Sequence, residues 1–144
     1  AEITVMLIFN CSRTAIGRDA TLRDDRSVEE VCKALSERSK YSRIEVSESC
    51  VGIICNLANC DADKQRERVI SANGHKEIMN IISDGKVAGQ VVLQAILALQ
   101  NLSYQNVYTQ RQLTVSGGIE ALITRLSISF KDGSSSAGDE LCTE

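Results

Sequence analysis

The side chains of this sequence that are best suited to chemistry are its six cysteines and its one histidine. Three of the thiols recur every five residues, at Cys50, Cys55 and Cys60. On a helix, a step of five residues turns the side chain by roughly 140°, so these thiols would be spread around the helix and would not converge on one metal ion. We therefore expect no metal site and no cofactor. Reduced thiols that fill small gaps in a core, in a reducing compartment, are the better interpretation.

Catalysis needs an acid, a base or a nucleophile held beside a partner, and the sequence offers no such arrangement. It contains no phosphate-binding loop, no dinucleotide fingerprint and no catalytic-triad motif. We therefore do not expect an enzyme.

Three asparagines, Asn10, Asn56 and Asn101, are separated by 46 and 45 residues. One amide side chain offers both a donor and an acceptor, which matches the groups of a peptide unit, so a series of amides could bind the backbone of an extended peptide. The alternative is that each amide only caps its own helix or ties adjacent loops, because asparagine is favoured at helix ends. The sequence leaves both readings open.

A segment with apolar residues at helical spacing begins 18 or 19 residues after each asparagine. The segments are VEEVCKAL, HKEIMNII and IEALITRL, beginning at Val28, His75 and Ile119, which are 47 and 44 residues apart. A helical repeat of about 45 residues is typical of α-solenoids of the HEAT or armadillo kind, whose units bury their apolar faces only by stacking. The position of His75, which valine and isoleucine take in the other segments, favours a packed histidine over a catalytic one.

The stretch from Val91 to Leu102 is apolar at nearly every position and leaves almost no polar stripe. Such a helix is expected to be enclosed on most sides, as an inner helix of the repeat.

The segment from Ala95 to Leu122 closely resembles the armadillo repeat, whose third helix ends in a run like "ALWALSN". In this chain the run is Ala95 to Asn101, and it is followed by a short helix from Asn106 to Val115, a Ser116-Gly117-Gly118 break and a helix from Ile119. The second repeat matches from Cys50 to Asn56 and from Val69 to Ile82, whereas the first is weaker, because Asp24-Asp25-Arg26 replaces its glycine break. The chain is thus similar to the armadillo family.

This resemblance implies an all-α fold, an armadillo or HEAT-like solenoid of about three repeats in a right-handed superhelix. We expect one domain, 1–144, with an inner helix of a preceding repeat at 1–13, repeats at 14–59 and 60–103, and a partial repeat at 104–144 that contains a flexible linker at 131–138. Such a solenoid is incomplete at both ends and would expose an apolar face at each. We therefore expect either a fragment of a longer armadillo protein or self-association through these ends.

The resemblance also implies a function, because armadillo proteins use the asparagine near the end of each third helix to bind an extended peptide in a concave groove. The residues expected to line that groove and bind a partner are Asn10, Asn56, Asn101, Leu97, Leu93, Gly52 and Glu48. Nuclear-import receptors of this family carry a tryptophan four residues before the asparagine, where this chain has Met6, Gly52 and Leu97 and no tryptophan at all. An apolar groove floor is therefore expected, rather than a site for a nuclear localisation signal.

The net charge of −3, with both signs mixed along the chain, argues against nucleic acid or a membrane surface as partner. There is no apolar run of membrane-spanning length and no basic start of a signal peptide. The sequence thus predicts an intracellular scaffold, cytoplasmic or nuclear, that binds an extended or helical segment of another protein. The alternative is an architectural segment of a large cytoskeletal, axonemal or formin-type assembly, in which no peptide groove is used.

Overall fold

A computed structural model describes residues 2–24, 26–37, 44–59 and 63–136. Within these ranges every regular element is an α-helix, which confirms the expected all-α class. The helices of the described residues are, in chain order, α1 (Glu2–Ser12), α2 (Ala15–Arg23), α3 (Ser27–Ser36), α4 (Ile44–Ala58), α5 (Asp63–Ser71), α6 (Gly74–Ser83), α7 (Gly89–Ser103), α8 (Val107–Val115) and α9 (Gly118–Ser136).

Helices that stand three apart in the chain pack on one another. We call α1, α4 and α7 the inner row, in which α4 packs against both other members. We call α3, α6 and α9 the outer row, in which α6 packs against both others. The linking helices α2, α5 and α8 connect each inner helix to the next outer helix. Each inner helix α4 and α7 also packs on the outer helix just before it, so it lies in a valley between two earlier helices.

The core between the rows is built from aliphatic side chains at helical spacing. On α3 the buried positions follow the pattern i, i+3, i+4, i+7, which places them on one face of the helix, and on α6 the same pattern is joined by Gly74 and Ile81. They meet buried residues of α4 and α7, and the largest side chains enclosed completely include Leu35, Ile53, Ile78, Ile82 and Leu102. Each such side chain stabilises the fold by roughly 1.5–3 kcal/mol through removal from water.

The inner helix α7 is less enclosed than its composition suggested. Val91, Ala95 and Ala98 are buried, but Leu93 and Leu97 are 52% and 43% exposed, so the predicted enclosure on most sides is wrong for this face. For Leu93, which lines the valley beside α9, the cause is the position of α7 in the row. An inner helix packs on each side of α4, whereas no inner helix of the described residues follows α7.

A left-handed residue precedes each of the two later outer helices. These residues are Asn73, with φ of 59°, and Gly117, with φ of 86°, a region that asparagine and glycine tolerate best. The predicted break before α9 is therefore confirmed, and Asn73 makes a similar break before α6. Before α3 the corresponding residue is Arg26, with φ of −105°, which fits the absence of a glycine break in that part of the sequence.

A glycine at the first position of both α6 and α9 permits close packing against the preceding outer helix. A Cβ atom on Gly74 would lie 2.6 Å from the Cys32 sulfur and 2.9 Å from Val69 Cγ1. A Cβ atom on Gly118 would lie 3.3 Å from the Met79 sulfur and 2.9 Å from the Leu113 carbonyl oxygen. At both junctions, a sulfur-containing side chain of the preceding outer helix occupies the space that the missing side chain leaves.

The last helix is longer than expected. Residues 131–136, predicted as part of a flexible linker, continue α9 to Ser136, and 137 and 138 lie outside the described residues. Once a helix has begun, each added residue gains one hydrogen bond, and glycine or serine in its interior costs only about 1 kcal/mol or less.

We expect Gly74→Ala to lower the free energy of unfolding by about 1–3 kcal/mol, because the new methyl group would displace the buried Cys32 sulfur. The measurement is urea unfolding followed by circular dichroism. Gly89→Ala is the matched control, since nothing lies within 4 Å of a Cβ atom there. It should leave stability unchanged or raise it by up to about 1 kcal/mol. Equal effects of the two substitutions would contradict the close packing.

Candidate functional site

The three asparagines occupy equivalent places on the inner row. Each stands two residues before the last residue of its helix, Asn10 in α1, Asn56 in α4 and Asn101 in α7. Asn10 is exposed, whereas Asn56 and Asn101 are partly buried. The spacing seen in the sequence therefore places one amide near the same end of each inner helix.

The two partly buried amides bond to the preceding inner helix. Asn56 Nδ2 donates to Ser12 Oγ at 3.0 Å, and Asn101 Nδ2 donates to the Cys55 carbonyl oxygen at 3.2 Å. Ser12 Oγ in turn donates to the Phe9 carbonyl oxygen at 2.7 Å. These bonds correspond to the alternative that the sequence left open, in which the amides tie adjacent units. They use a donor of each amide within the chain.

An apolar row lies four residues before the amide row. Met6 and Leu97 are 42% and 43% exposed. Gly52, the equivalent position on α4, is buried, and a Cβ atom there would lie 2.3 Å from Cε2 of the Phe9 ring. Phe9 therefore covers Gly52, and the contact of Gly52 with a partner stays a prediction. A glycine inside a buried helix signals such a close approach, but the sequence does not say which side chain approaches.

The remaining predicted site residues, Glu48 and Leu93, stand one turn earlier on α4 and α7. Glu48 is partly buried, so its carboxylate is near the row without being fully solvated. Leu93 lines a cleft of about 470 Å³ together with Leu122 and Leu126 of α9. The structure thus places Leu93 at the edge where the inner row meets the outer row, rather than only in the row of Met6 and Leu97.

A series of polar side chains that the sequence did not reveal joins the linking helices to the inner row. Arg18 Nη1 lies 3.5 Å from the Ser12 carbonyl oxygen, Arg66 Nε lies 3.2 Å from that of Ala58, and Gln110 Nε2 lies 2.9 Å from that of Ser103. Each acceptor is the last residue of an inner helix, where carbonyl groups lack partners within the helix.

Arg66 is the most deeply buried member of this series, with 6% of its surface exposed. Besides Ala58, it donates from Nη1 to the Tyr104 carbonyl oxygen at 2.8 Å, and it forms an ion pair with Asp63 at 3.3 Å. Its planar fork therefore joins the end of α4 to the end of α7. The sequence of α5 is polar at most positions, so it does not indicate that Arg66 is buried or that its guanidinium group joins two helices.

The cysteines of the described residues are free thiols in different surroundings. Burial raises the pKa of the Cys32 and Cys50 thiols to about 12, so both are neutral and unreactive, as the gap-filling interpretation predicted. Burial also raises the pKa of Cys55, against an opposing hydrogen bond from Asn101. Cys11 is exposed, so that interpretation is wrong for it. Cys60 and Cys142 lie outside the described residues.

His75 is a packed side chain, with 3% of its surface exposed. Its Nε2 atom lies 3.3 Å from Ser116 Oγ, and its buried Nδ1 atom has no hydrogen-bond partner among the described residues. Burial, with a smaller contribution from the Lys76 charge, lowers the pKa of His75. The neutral imidazole is therefore the form that the fold accommodates.

Among the described residues, no group of three histidine, cysteine or acidic side chains is placed to hold a metal ion. In the same part of the chain, none of the helices combines the length and the apolar character that crossing a membrane requires. No protein-family model matches the chain, and no curated protein matches it. The exposed apolar residues of the described chain that remain as candidate binding surfaces lie on the inner row, including α1, and on α9.

We expect Arg66→Met to lower the free energy of unfolding by about 2–4 kcal/mol, because it removes a charged donor from two main-chain carbonyl groups while keeping the apolar stem. Arg111→Met, an exposed arginine on α8, is the control and should change stability by no more than about 0.5 kcal/mol. Urea unfolding measures both. Similar losses would show that arginine content, and not the bonds of Arg66, determines the effect.

His75→Val should make stability less dependent on pH. Between the ordinary pKa of 6.5 and the lowered pKa of the folded state, the unfolded chain binds a proton that the folded chain does not. The free energy of unfolding of the wild type is therefore highest above this pH window. It decreases as the pH falls through the window, by at most about 1.4 kcal/mol per pH unit. Urea unfolding near neutral pH and about two pH units lower, with both proteins, measures the difference. Identical pH profiles would refute it.

Proposed function

We propose that this chain is a segment of an armadillo-type α-solenoid, right-handed, whose inner row binds an extended segment of a partner protein. The recurring order of inner, linking and outer helix supports the solenoid. Further support comes from two features that recur at equivalent positions. These are the polar bond to the end of each inner helix and the glycine at the start of α6 and of α9.

The observation that carries the binding proposal is the exposed apolar row beside the amide row. Met6 and Leu97 are more than two-fifths exposed, and the partly buried Phe9 ring lies over Gly52 between them. Exposed apolar side chains in a contiguous set mark protein interaction sites. Packed helices are about 8–10 Å apart and an extended chain rises about 3.3 Å per residue, so a bound peptide would pass one inner helix about every three residues.

The chemistry of the row defines the ligand further. With leucine, methionine and phenylalanine, and without tryptophan to stack on basic stems, the row suits apolar side chains. Glu48 adds a negative charge that favours an occasional basic residue. We infer no catalytic activity and no cofactor. An intracellular location, in the cytoplasm or the nucleus, accords with the free thiols of the described residues.

A second candidate is an architectural segment of a larger cytoskeletal or regulatory assembly, in which the rows only set spacing and curvature. The amide bonds favour it, since Asn56 and Asn101 each donate to the preceding inner helix and so act as ties between units. Arg66 has the same role at the junction of α4 and α7.

Selection from a phage-displayed library of random dodecapeptides, followed by fluorescence anisotropy with the enriched peptides, tests the binding proposal. We expect Leu97→Glu to weaken their binding by about tenfold or more, which corresponds to about 1.4 kcal/mol or more, because a carboxylate would replace an apolar contact. Val107→Glu, at an exposed apolar position on α8, is the control and should bind within about twofold of wild type.

Two outcomes would contradict the proposal. If peptides are enriched but bind Leu97→Glu as tightly as wild type, the inner row is not their site. If no peptide is enriched over a selection without protein, the architectural candidate is favoured. Thermal unfolding of both variants, monitored by circular dichroism, separates lost binding from lost folding.

A further inference from the structure

The outer row shows a change in burial from one end to the other. Four equivalent positions on each outer helix are no more than 5% exposed in α3 and in α6, but 36–58% exposed in α9. They are Val28, Val31, Cys32 and Leu35 in α3, then His75, Ile78, Met79 and Ile82 in α6, and finally Ile119, Leu122, Ile123 and Leu126 in α9. The face of α9 therefore has core composition and a surface location.

The difference follows from which helix packs on each face. The inner helix α4 lies in the valley between α1 and α3, and α7 lies in the valley between α4 and α6. The next such valley lies between α7 and α9. It consists of two neighbouring clefts of about 290 and 470 Å³ that share Ile96 and Leu122 as lining residues. The residues that line this valley are equivalent to residues that an inner helix covers in the earlier units.

The first inner helix, α1, also has an apolar face that no helix of the described residues covers. On α1, Ile3 and Leu7 are 83% and 62% exposed, and Cys11 is exposed as well. The equivalent positions on α4 are Ser49, Ile53 and Leu57, which are 6%, 0% and 1% exposed. Within the described residues, α1 is thus an inner helix with no outer helix before it, and α9 is an outer helix with no inner helix after it.

We infer that a second copy of the chain fills the valley, with its α1 lying between α7 and α9 as α4 lies between α1 and α3. In this contact, each residue of α1 would take the place that the equivalent residue of α4 takes within one chain. Residues 3–12 carry no charged side chain, so α1 can enter an apolar valley without burying an unpaired charge. The two surfaces differ, so the contact is head-to-tail and heterologous, and each added copy leaves a free face at either end.

A mixing experiment with the full chain tests this geometry. Leu7→Glu blocks the face of α1, and Leu126→Glu blocks the face of α9. Because every copy needs both faces to pair with its own kind, each variant alone should be monomeric by sedimentation velocity. Mixed in equal amounts, they should form a one-to-one dimer of twice the 15.7 kDa chain mass, through the unblocked α1 of one and the unblocked α9 of the other. Wild type should increase in average mass with concentration.

Val107→Glu is the control, because its equivalents Ala15 and Asp63 are exposed in the earlier units, and it should associate like wild type. Circular dichroism verifies that the variants fold. Ile3→Glu on α1 and Leu122→Glu, which lines both clefts of the valley, provide second substitutions on the same two faces. A wild-type chain that stays monomeric at every concentration would overturn the inference. So would a mixture that stays monomeric, or a dimer formed by one variant alone, which would indicate a two-fold contact between identical faces.

Discussion

The fold depends on one constraint: an outer helix can bury its apolar face only when an inner helix follows and packs on it. Val28 and Leu35 on α3 are buried because α4 is present, and Ile78 and Ile82 on α6 because α7 is present. The equivalent side chains of α9 remain exposed. In the described residues, α3 and α6 thus gain burial from the helices that follow them, which is the nearest-neighbour coupling expected of the proposed solenoid.

Polar groups follow the same repeat as the apolar ones. Every inner helix ends with carbonyl groups that have no partner within the helix, and a side chain of the next linking helix donates to one of them. Among the three side chains of this series in the described residues, Arg66 alone also bonds to the end of the next inner helix, and it does so from a buried position. The amides of Asn56 and Asn101 form the second set of ties, each directed back to the preceding inner helix. Both sets fix the relative positions of the units.

The apolar spacing predicted the helices and their order well, because the positions that bury a face recur at about 45 residues and are visible in the sequence. Exposure could not be predicted in the same way. Leu93 is as apolar as a core residue, but it lines the open valley beside α9, where no inner helix of the described residues packs. The contact between Gly52 and Phe9 joins residues far apart in the chain. The spacing in the sequence therefore indicated which helices carry these residues, whereas their contacts depend on how the helices pack.

The two proposed surfaces are physically connected through α7. Leu97 belongs to the row that we propose for peptide binding, whereas Leu93, one turn away, lines the valley that we propose for a second copy. If α1 of another copy fills that valley, the inner row continues across the junction, and Met6 and Asn10 of the added copy follow Leu97 and Asn101 of the first. A ligand that spans several inner helices would then bind more tightly to an assembly than to one chain, because each further contact is made within an existing complex. Association of copies would thus set the length of peptide that the surface can select, without any change in the residues that contact it.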